Sequence, residues 1–183
     1  TPDEIAAVAS AGAAAVICPA TEANLGDGLA DLPHWLAAGV GHWNLDVLRH
    51  NPHLSEVLSV GAPWFNKYRP GGALTRLAYL GSAEAGAVEE RRFEVGIDVL
   101  GSAWGSLLLL RARIPYRLGM SGYAGGEAGW QAAVPFDPAV QVARAALRFA
   151  ELLGATDLPP ARPQLFLSAE ESAGGEAWWA ARS

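Results

Sequence analysis

The chain has 183 residues, 51% of them apolar, and carries a formal charge of −6. That is enough for one good-sized domain or two small ones, with a sizeable core. The acidic balance argues against a general grip on nucleic acid, and no nucleic-acid partner is expected. The single cysteine, Cys18, excludes an intrachain disulfide and makes a reducing, cytoplasmic compartment the expectation. No run of apolar residues reaches the roughly 18–20 needed to cross a bilayer.

The opening stretch TPDEIAAVAS has no basic start of a secretory kind. It reads as a helix in progress, with Thr1 as cap, Pro2 in the first turn and acidic Asp3 and Glu4 beside it, so the chain is expected to be a piece of something longer. Alanine-rich Pro2 to Gly12 is helical by propensity, and AAAVIC, Ala13 to Cys18, is a short buried strand. The polar loop PATEANLGDG runs from Pro19 to Gly28. A short helix is expected over Leu29 to Ala38, a break over Gly39 to Asn44, a helical turn over Leu45 to His50 and a strand over Glu56 to Val60. Gly61 to Gly72 is aromatic and irregular, and Leu74 to Arg92 is a helix interrupted near Gly81 and Gly86.

Phe93 to Gly119 is the organising stretch. Phe93 to Leu100 is a short, mostly apolar run, as expected of a strand covered on both faces. Gly101-Ser102 turns the chain into an apolar helix, Trp104 to Leu110, closed by Arg111, Arg113 and Pro115. Tyr116 to Gly119 is extended again. Strand, crossover helix and strand make a parallel βαβ unit, and such units bind ligands beyond the carboxyl ends of their strands. Here that is near Gly101 to Trp104 and Gly119 to Gly126. A flexible loop follows from Ser121 to Gly129, then an amphipathic helix from Asp137 to Gly154 with Val142, Ala145, Ala146, Phe149, Leu152 and Leu153 on one face. Pro159, Pro160 and Pro163 stiffen a linker. Gln164 to Leu167 is read as a last strand, and Ser168 to Glu171 as a capping box opening a helix that carries Trp178 and Trp179.

Several sites could carry chemistry. Leu25 to Gly28 follows a strand and precedes a helix, so its amides could face an anion and Asp27 could act as a general base at the mouth of the sheet. The same aspartate could instead be a turn or cap residue. The glycines of Ser121 to Gly129 could let backbone approach a sugar or phosphate, but no GxGxxG or P-loop pattern is present. His34, His42, His50 and His53 lack the spacing of a tight metal motif, and no metal or cofactor is expected. Ser102 and Ser106 do not form a nucleophile elbow. Trp64, Phe65 and Tyr68 with Lys67 and Arg69 could be a carbohydrate-stacking or lipid-facing edge, or equally a satellite core under a loop.

From Leu45 onward the chain resembles the N-terminal half of a family 9 glycosyltransferase, the heptosyltransferase-like group. LDVLRHNPHLSEVLSV, FEVGIDVLGSAWGSLLLL, IPYRLG and QVARAALRFAELLGA with its proline linker carry the resemblance. Ile97-Asp98, Gly101 and Arg117-Leu118-Gly119 stand at the places of that family's strand-ending aspartate, glycine turn and R-x-G segment. The resemblance implies an α/β, Rossmann-like parallel sheet with flanking helices, the acceptor-side half of a B-type glycosyltransferase. Residues 1–158 would form that half, and 159–183 would lead toward a donor-binding domain that this chain lacks. It implies transfer of a heptosyl-type sugar from a nucleotide-sugar donor to a lipopolysaccharide-like or other glycan acceptor, free or lipid-linked, and peripheral membrane contact is a further expectation. Catalysis by this chain alone is not expected. Leu25-Gly26-Asp27 falls near the family's LGD, whose aspartate is the proposed base. Gly26, Gly101, Ser102, Arg117, Gly122, Tyr123 and Gly125 are then the expected substrate-binding residues. Val140 and Gln141 stand where that family has a histidine.

A second resemblance covers residues 1–40. TPDEIAAVASAGAAAVICPATEANLGDG is similar to formimidoylglutamate deiminase, a metal-dependent amidohydrolase, with CPATEANLGDG the specific part. GVGHWNLDVL stands where that family has a GSDS-like strand, and its metal ligands are not present, so the alternative it implies is a non-catalytic amidohydrolase remnant; a non-catalytic carbohydrate-binding scaffold domain is a separate alternative. The Leu25 to Gly28 motif belongs to both resemblances.

Overall fold

The computed structural model describes residues 13–16, 36–66, 71–156, 158, 160–161 and 165–182. Six parallel strands form one sheet: β1 (Ala13–Val16), β2 (Leu36–Val40), β3 (Leu54–Ser59), β4 (Val95–Asp98), β5 (Tyr116–Ser121) and β6 (Ala132–Pro135). Their spatial order is β3-β2-β1-β4-β5-β6, and each neighbouring pair is parallel. The helices are α1 (Leu45–Leu48), α2 (Ala73–Leu80), α3 (Ala83–Glu90), α4 (Ala103–Arg111), α5 (Val142–Leu152) and α6 (Ala169–Ala180).

Alternation along the strands feeds two cores. Val95, Ile97, Leu118, Met120 and Val134 pack with Leu48 and with Ala145 and Phe149 of α5. On the other face a Cβ built on Gly96 would press on Leu109 and Ile114. Those two belong to the second core, with Tyr79, Val88 and Leu108 of α2, α3 and α4. All four residues of β4 are buried, as a central strand with helices on both faces requires. The sheet is therefore α/β and Rossmann-like, with β4–α4–β5 as an uninterrupted parallel unit. β1 joins β2 on one side and β4 on the other, so the first forty residues supply a central strand of the same sheet.

Several local expectations are corrected. Leu36 to Ala38 belong to strand β2, not a helix: pairing with strands on both sides outweighs alanine's helical preference. Residues 29–35 lie outside the described residues. β2 runs through Gly39 to Val40, so the break begins only at Gly41. The interruption at Gly81 is real, with Ser82 capping α3 through the Ala85 amide, but α3 continues through Gly86. β6 was not anticipated; its strand AAVP alternates too briefly to stand out. α5 starts at Val142, because Asp137 spends its Oδ1 on the Ala139 amide at 2.9 Å in a preceding turn. The face it buries includes Ala143 and Leu147 as well as Ala145 and Phe149, whereas Leu152 is exposed. Leu165 to Leu167 are not in a strand; they have no neighbouring strand to pair with in the sheet order. The expected helix over Pro2 to Gly12 lies outside the described residues.

Candidate functional site at the carboxyl end of the sheet

The strand order places a switch between β1 and β4. The chain leaving β1 returns through β2 on one side, and the chain leaving β4 returns through β5 on the other. Such divergence opens a crevice beyond the strands' carboxyl ends. Val16 and Asp98, the last residues of β1 and β4, are register partners at its floor.

Asp98 organises the wall of this crevice. Its Oδ1 accepts the Leu100 amide at 3.0 Å, and its Oδ2 accepts the Ser102 amide at 2.9 Å and hydroxyl at 3.1 Å. The Ser102 hydroxyl oxygen in turn accepts the Gly105 amide at 2.8 Å, capping α4. Burial pushes the Asp98 carboxyl up to about 6, while the hydrogen bonds from Ser102, Leu100 and Gly101 pull the other way. The carboxylate therefore acts as a clasp between strand and helix rather than a group presented to solvent.

Glycines let three segments meet around that clasp. Gly101 has φ 62°, and a Cβ there would lie 1.9 Å from the Met120 carbonyl oxygen. A Cβ on Gly105 would lie 1.8 Å from Asp98 Oδ2. The loop after β5 then closes on the turn: Ser102 bridges Gly125, the Ala103 amide donates to the Ala124 carbonyl at 3.2 Å, and the Gly126 amide donates to the Gly101 carbonyl at 2.9 Å. Within the loop, Glu127 Oε1 accepts the Gly122 amide at 2.7 Å, and this bond holds the glutamate carboxyl below its usual range. Trp130 lies over Gly119, where a Cβ would meet its ring at 2.2 Å.

The expected site residues distribute unevenly over this geometry. Gly101, Ser102, Gly122, Tyr123 and Gly125 come together at the carboxyl end. The Ser102 amide and hydroxyl are engaged by the clasp, and Tyr123 is exposed. Arg117 does not join them. It is the second residue of β5, roughly 13 Å of strand before Ser121, and its guanidinium donates to the carbonyls of Ile114 at 2.5 Å and Gly129 at 2.9 Å. Gly26, Asp27, Cys18 and His34 lie outside the described residues. Asp98 and Trp130, central to the arrangement, were not expected as site residues; the signal for Asp98 was the aspartate three residues before a turn glycine.

Trp64 and Phe65 pack against the second core, and Trp64 stacks on Trp104 of α4 at 6.0 Å, with the Arg76 guanidinium 5.5 Å from the Trp104 ring centre. Tyr79 meets Trp64 edge-on at 5.3 Å, and burial beside Glu84 pushes its phenol well above the usual range. These aromatics form a packed rim, while Lys67, Tyr68 and Arg69 lie outside the described residues. Among the described residues, no three His, Cys, Asp or Glu side chains are grouped as a metal would need, and no helix is long and apolar enough to cross a membrane.

No family model and no curated sequence matches the chain. Two solved structures share its Rossmann-like, glycosyltransferase-type fold. A glycosyl transferase family 9 protein from Veillonella parvula DSM 2008 superposes with TM-score 0.61 at 16% identity, over 80% of this chain and 40% of that one. The ADP-heptose lps heptosyltransferase II of E. coli superposes with TM-score 0.53 at 15% identity, over 91% of this chain and 49% of that one. The chain thus spans less than half the length of either.

Proposed function

We propose that the chain is the acceptor-side half of a glycosyltransferase that moves a heptosyl-type sugar from a nucleotide-sugar donor to a hydroxyl of a lipopolysaccharide-like or other glycan. The observation that carries this reading is the reversal of strand order between β1 and β4, in a sheet that superposes on two glycosyltransferases. Asp27 follows β1 in sequence. Its carboxylate would take the proton from the acceptor hydroxyl as the oxygen bonds to the anomeric carbon. The bond from that carbon to the nucleoside diphosphate would break, and the leaving group would carry away the electron pair.

Gly26 would bring backbone close to the reacting groups, while Gly101 and Ser102 hold the opposite wall and Gly122, Tyr123 and Gly125 border the acceptor. Arg117 would contribute by fixing the start of β5 and the Gly129 turn. The donor would be held by a second domain, toward which residues 159–183 lead. Nucleotide sugars and a lipid-linked acceptor together suit a protein working in the cytoplasm against a membrane surface.

The test is sugar transfer by the polypeptide as its gene encodes it, with ADP-heptose as donor and deacylated lipopolysaccharide core as acceptor. Asp27→Asn is expected to lower turnover by about 10²–10⁴-fold, with acceptor affinity unchanged. Transfer that survives the substitution removes Asp27 as the base. Absence of transfer from every nucleotide sugar supplied removes the glycosyltransferase reading itself.

A further inference from the structure

At the carboxyl ends of β5 and β6 two aromatic rings stand outside both cores. Tyr123 is 58% exposed and Phe136 38% exposed. Their ring centres are 4.5 Å apart with planes tilted by 33°, the offset geometry aromatic pairs favour. Both are anchored through backbone. Phe136 donates its amide to the Ser121 carbonyl at 2.8 Å, and Tyr123 follows Gly122, whose amide is held by Glu127. Gly122 and Gly125 both have φ 80°, and a Cβ on either would meet nothing within 4 Å. The backbone conformation therefore favours glycine at both positions.

The segment that carries the pair is acidic. Residues 118–143 contain no lysine or arginine, and their acids are Glu127 and Asp137. Such a surface repels phosphates and sugar acids. It suits a neutral, polyhydroxylated ring, whose C–H face lies on an aromatic plane while its hydroxyls donate to nearby carboxylates.

We infer that Tyr123 and Phe136 form a stacking platform for a neutral pyranose ring of the acceptor glycan. This rests on the glycosyl-transfer reading and names the subsite and its chemistry. Tyr123 offers the outer face. Phe136 is a positioning residue that packs against the tyrosine ring.

The test is NMR titration of the chain with methyl α-mannopyranoside, a methyl heptopyranoside and mannose 6-phosphate, following the tyrosine and phenylalanine ring protons. The neutral glycosides are expected to shift the Tyr123 ring, and the phosphorylated sugar to bind at least severalfold more weakly. Tyr123→Ala and Phe136→Ala are expected to weaken the neutral sugars by about tenfold, while Tyr123→Phe keeps most of the affinity. Unchanged amide dispersion in each variant shows that the fold persists, and Phe136→Leu gives a second reading if Phe136→Ala unfolds. Sugar binding that leaves the Tyr123 ring unmoved, or that Tyr123→Ala does not weaken, overturns the platform while glycosyl transfer stands. Absence of binding by the unaltered chain also overturns it, and the ADP-heptose transfer assay then decides the larger reading separately.

Discussion

Helices α4 and α6 both begin on a serine whose hydroxyl oxygen accepts the amide three residues on, from Gly105 at 2.8 Å in one and Glu171 at 3.1 Å in the other. By local signals α6 is the better formed. Glu171 returns the favour to the Ser168 amide at 2.7 Å, completing a capping box that α4 lacks. Yet α4 buries Gly105, Ser106, Leu108 and Leu109, whereas α6 buries no residue and leaves Trp179 70% exposed. Removing Leu108 or Leu109 from water is worth roughly 1.5–3 kcal/mol each. A cap decides where a helix starts. What lies beneath it decides how far the rest of the fold depends on it.

The contrast breaks most completely at Gly101. Alanine there must hold φ near 62° and place its methyl against the Met120 carbonyl, a backbone atom that cannot swing aside. Gly101→Ala should cost about 2–5 kcal/mol, read as a lowered urea midpoint. A change of only a few tenths would mean that the β4–α4 turn relaxes freely and is not the rigid wall described.

Asp98 gives the next largest effect and a signed pH dependence. Its folded-state carboxyl titrates near 6, above its ordinary value of 3.8. Below about pH 4 both folded and unfolded chains hold this proton. Between about 4 and 6 the unfolded chain releases it while the folded chain keeps it. Stability must therefore fall as pH rises through that window and level off above it, by roughly 3 kcal/mol in all. Glu56, Glu89 and Glu171 lie below their usual range through partners such as Arg91, Arg111 and Ser168, so their contribution is lost on acidification, with the opposite sign. The informative quantity is the difference between wild type and Asp98→Asn in urea unfolding from pH 3.5 to 7.5. It should slope between 4 and 6 and be flat elsewhere; a difference that does not change with pH would show that Asp98 titrates normally.

Legibility in the sequence followed the same division. The β4–α4–β5 unit was readable because a mostly apolar strand, the Gly101-Ser102 turn and Pro115 are strong local signals, and burial of β4 and α4 then reinforced them. The capping box of α6 was readable for the same local reason. LAAGV of β2 was misread because alanine favours a helix, and only partners distant in sequence make it a strand. The structure places Gly122, Tyr123 and Gly125 in the loop whose Gly125 bridges Ser102. Arg117 lies toward the other end of β5; an R-x-G motif says nothing about which way along a strand its arginine is tied. Asp98 escaped the site assignment because its three hydrogen bonds depend on a turn geometry that residue types alone do not specify.

The smallest predicted effects compare the two caps directly. Ser102→Ala deletes both the bond to Gly105 and the hydroxyl donated to buried Asp98, so it should lower global stability by about 1–2 kcal/mol. Ser168→Ala deletes an equivalent cap on a helix with no buried residue. Its loss of about 1 kcal/mol should fall on the helix alone. Amide exchange across residues 169–180 should speed about fivefold, while the urea midpoint and exchange in β4 and β5 stay unchanged. If Ser168→Ala instead lowered the global midpoint as much as Ser102→Ala, α6 would have to be coupled to the sheet through contacts such as His50 with Glu171, 3.5 Å apart, and His53 with Phe166. The single variant His50→Ala would then reproduce part of the loss. If His50→Ala is silent, the two helices differ as their burial says, and exchange at α6 reports the cap without interference from the core.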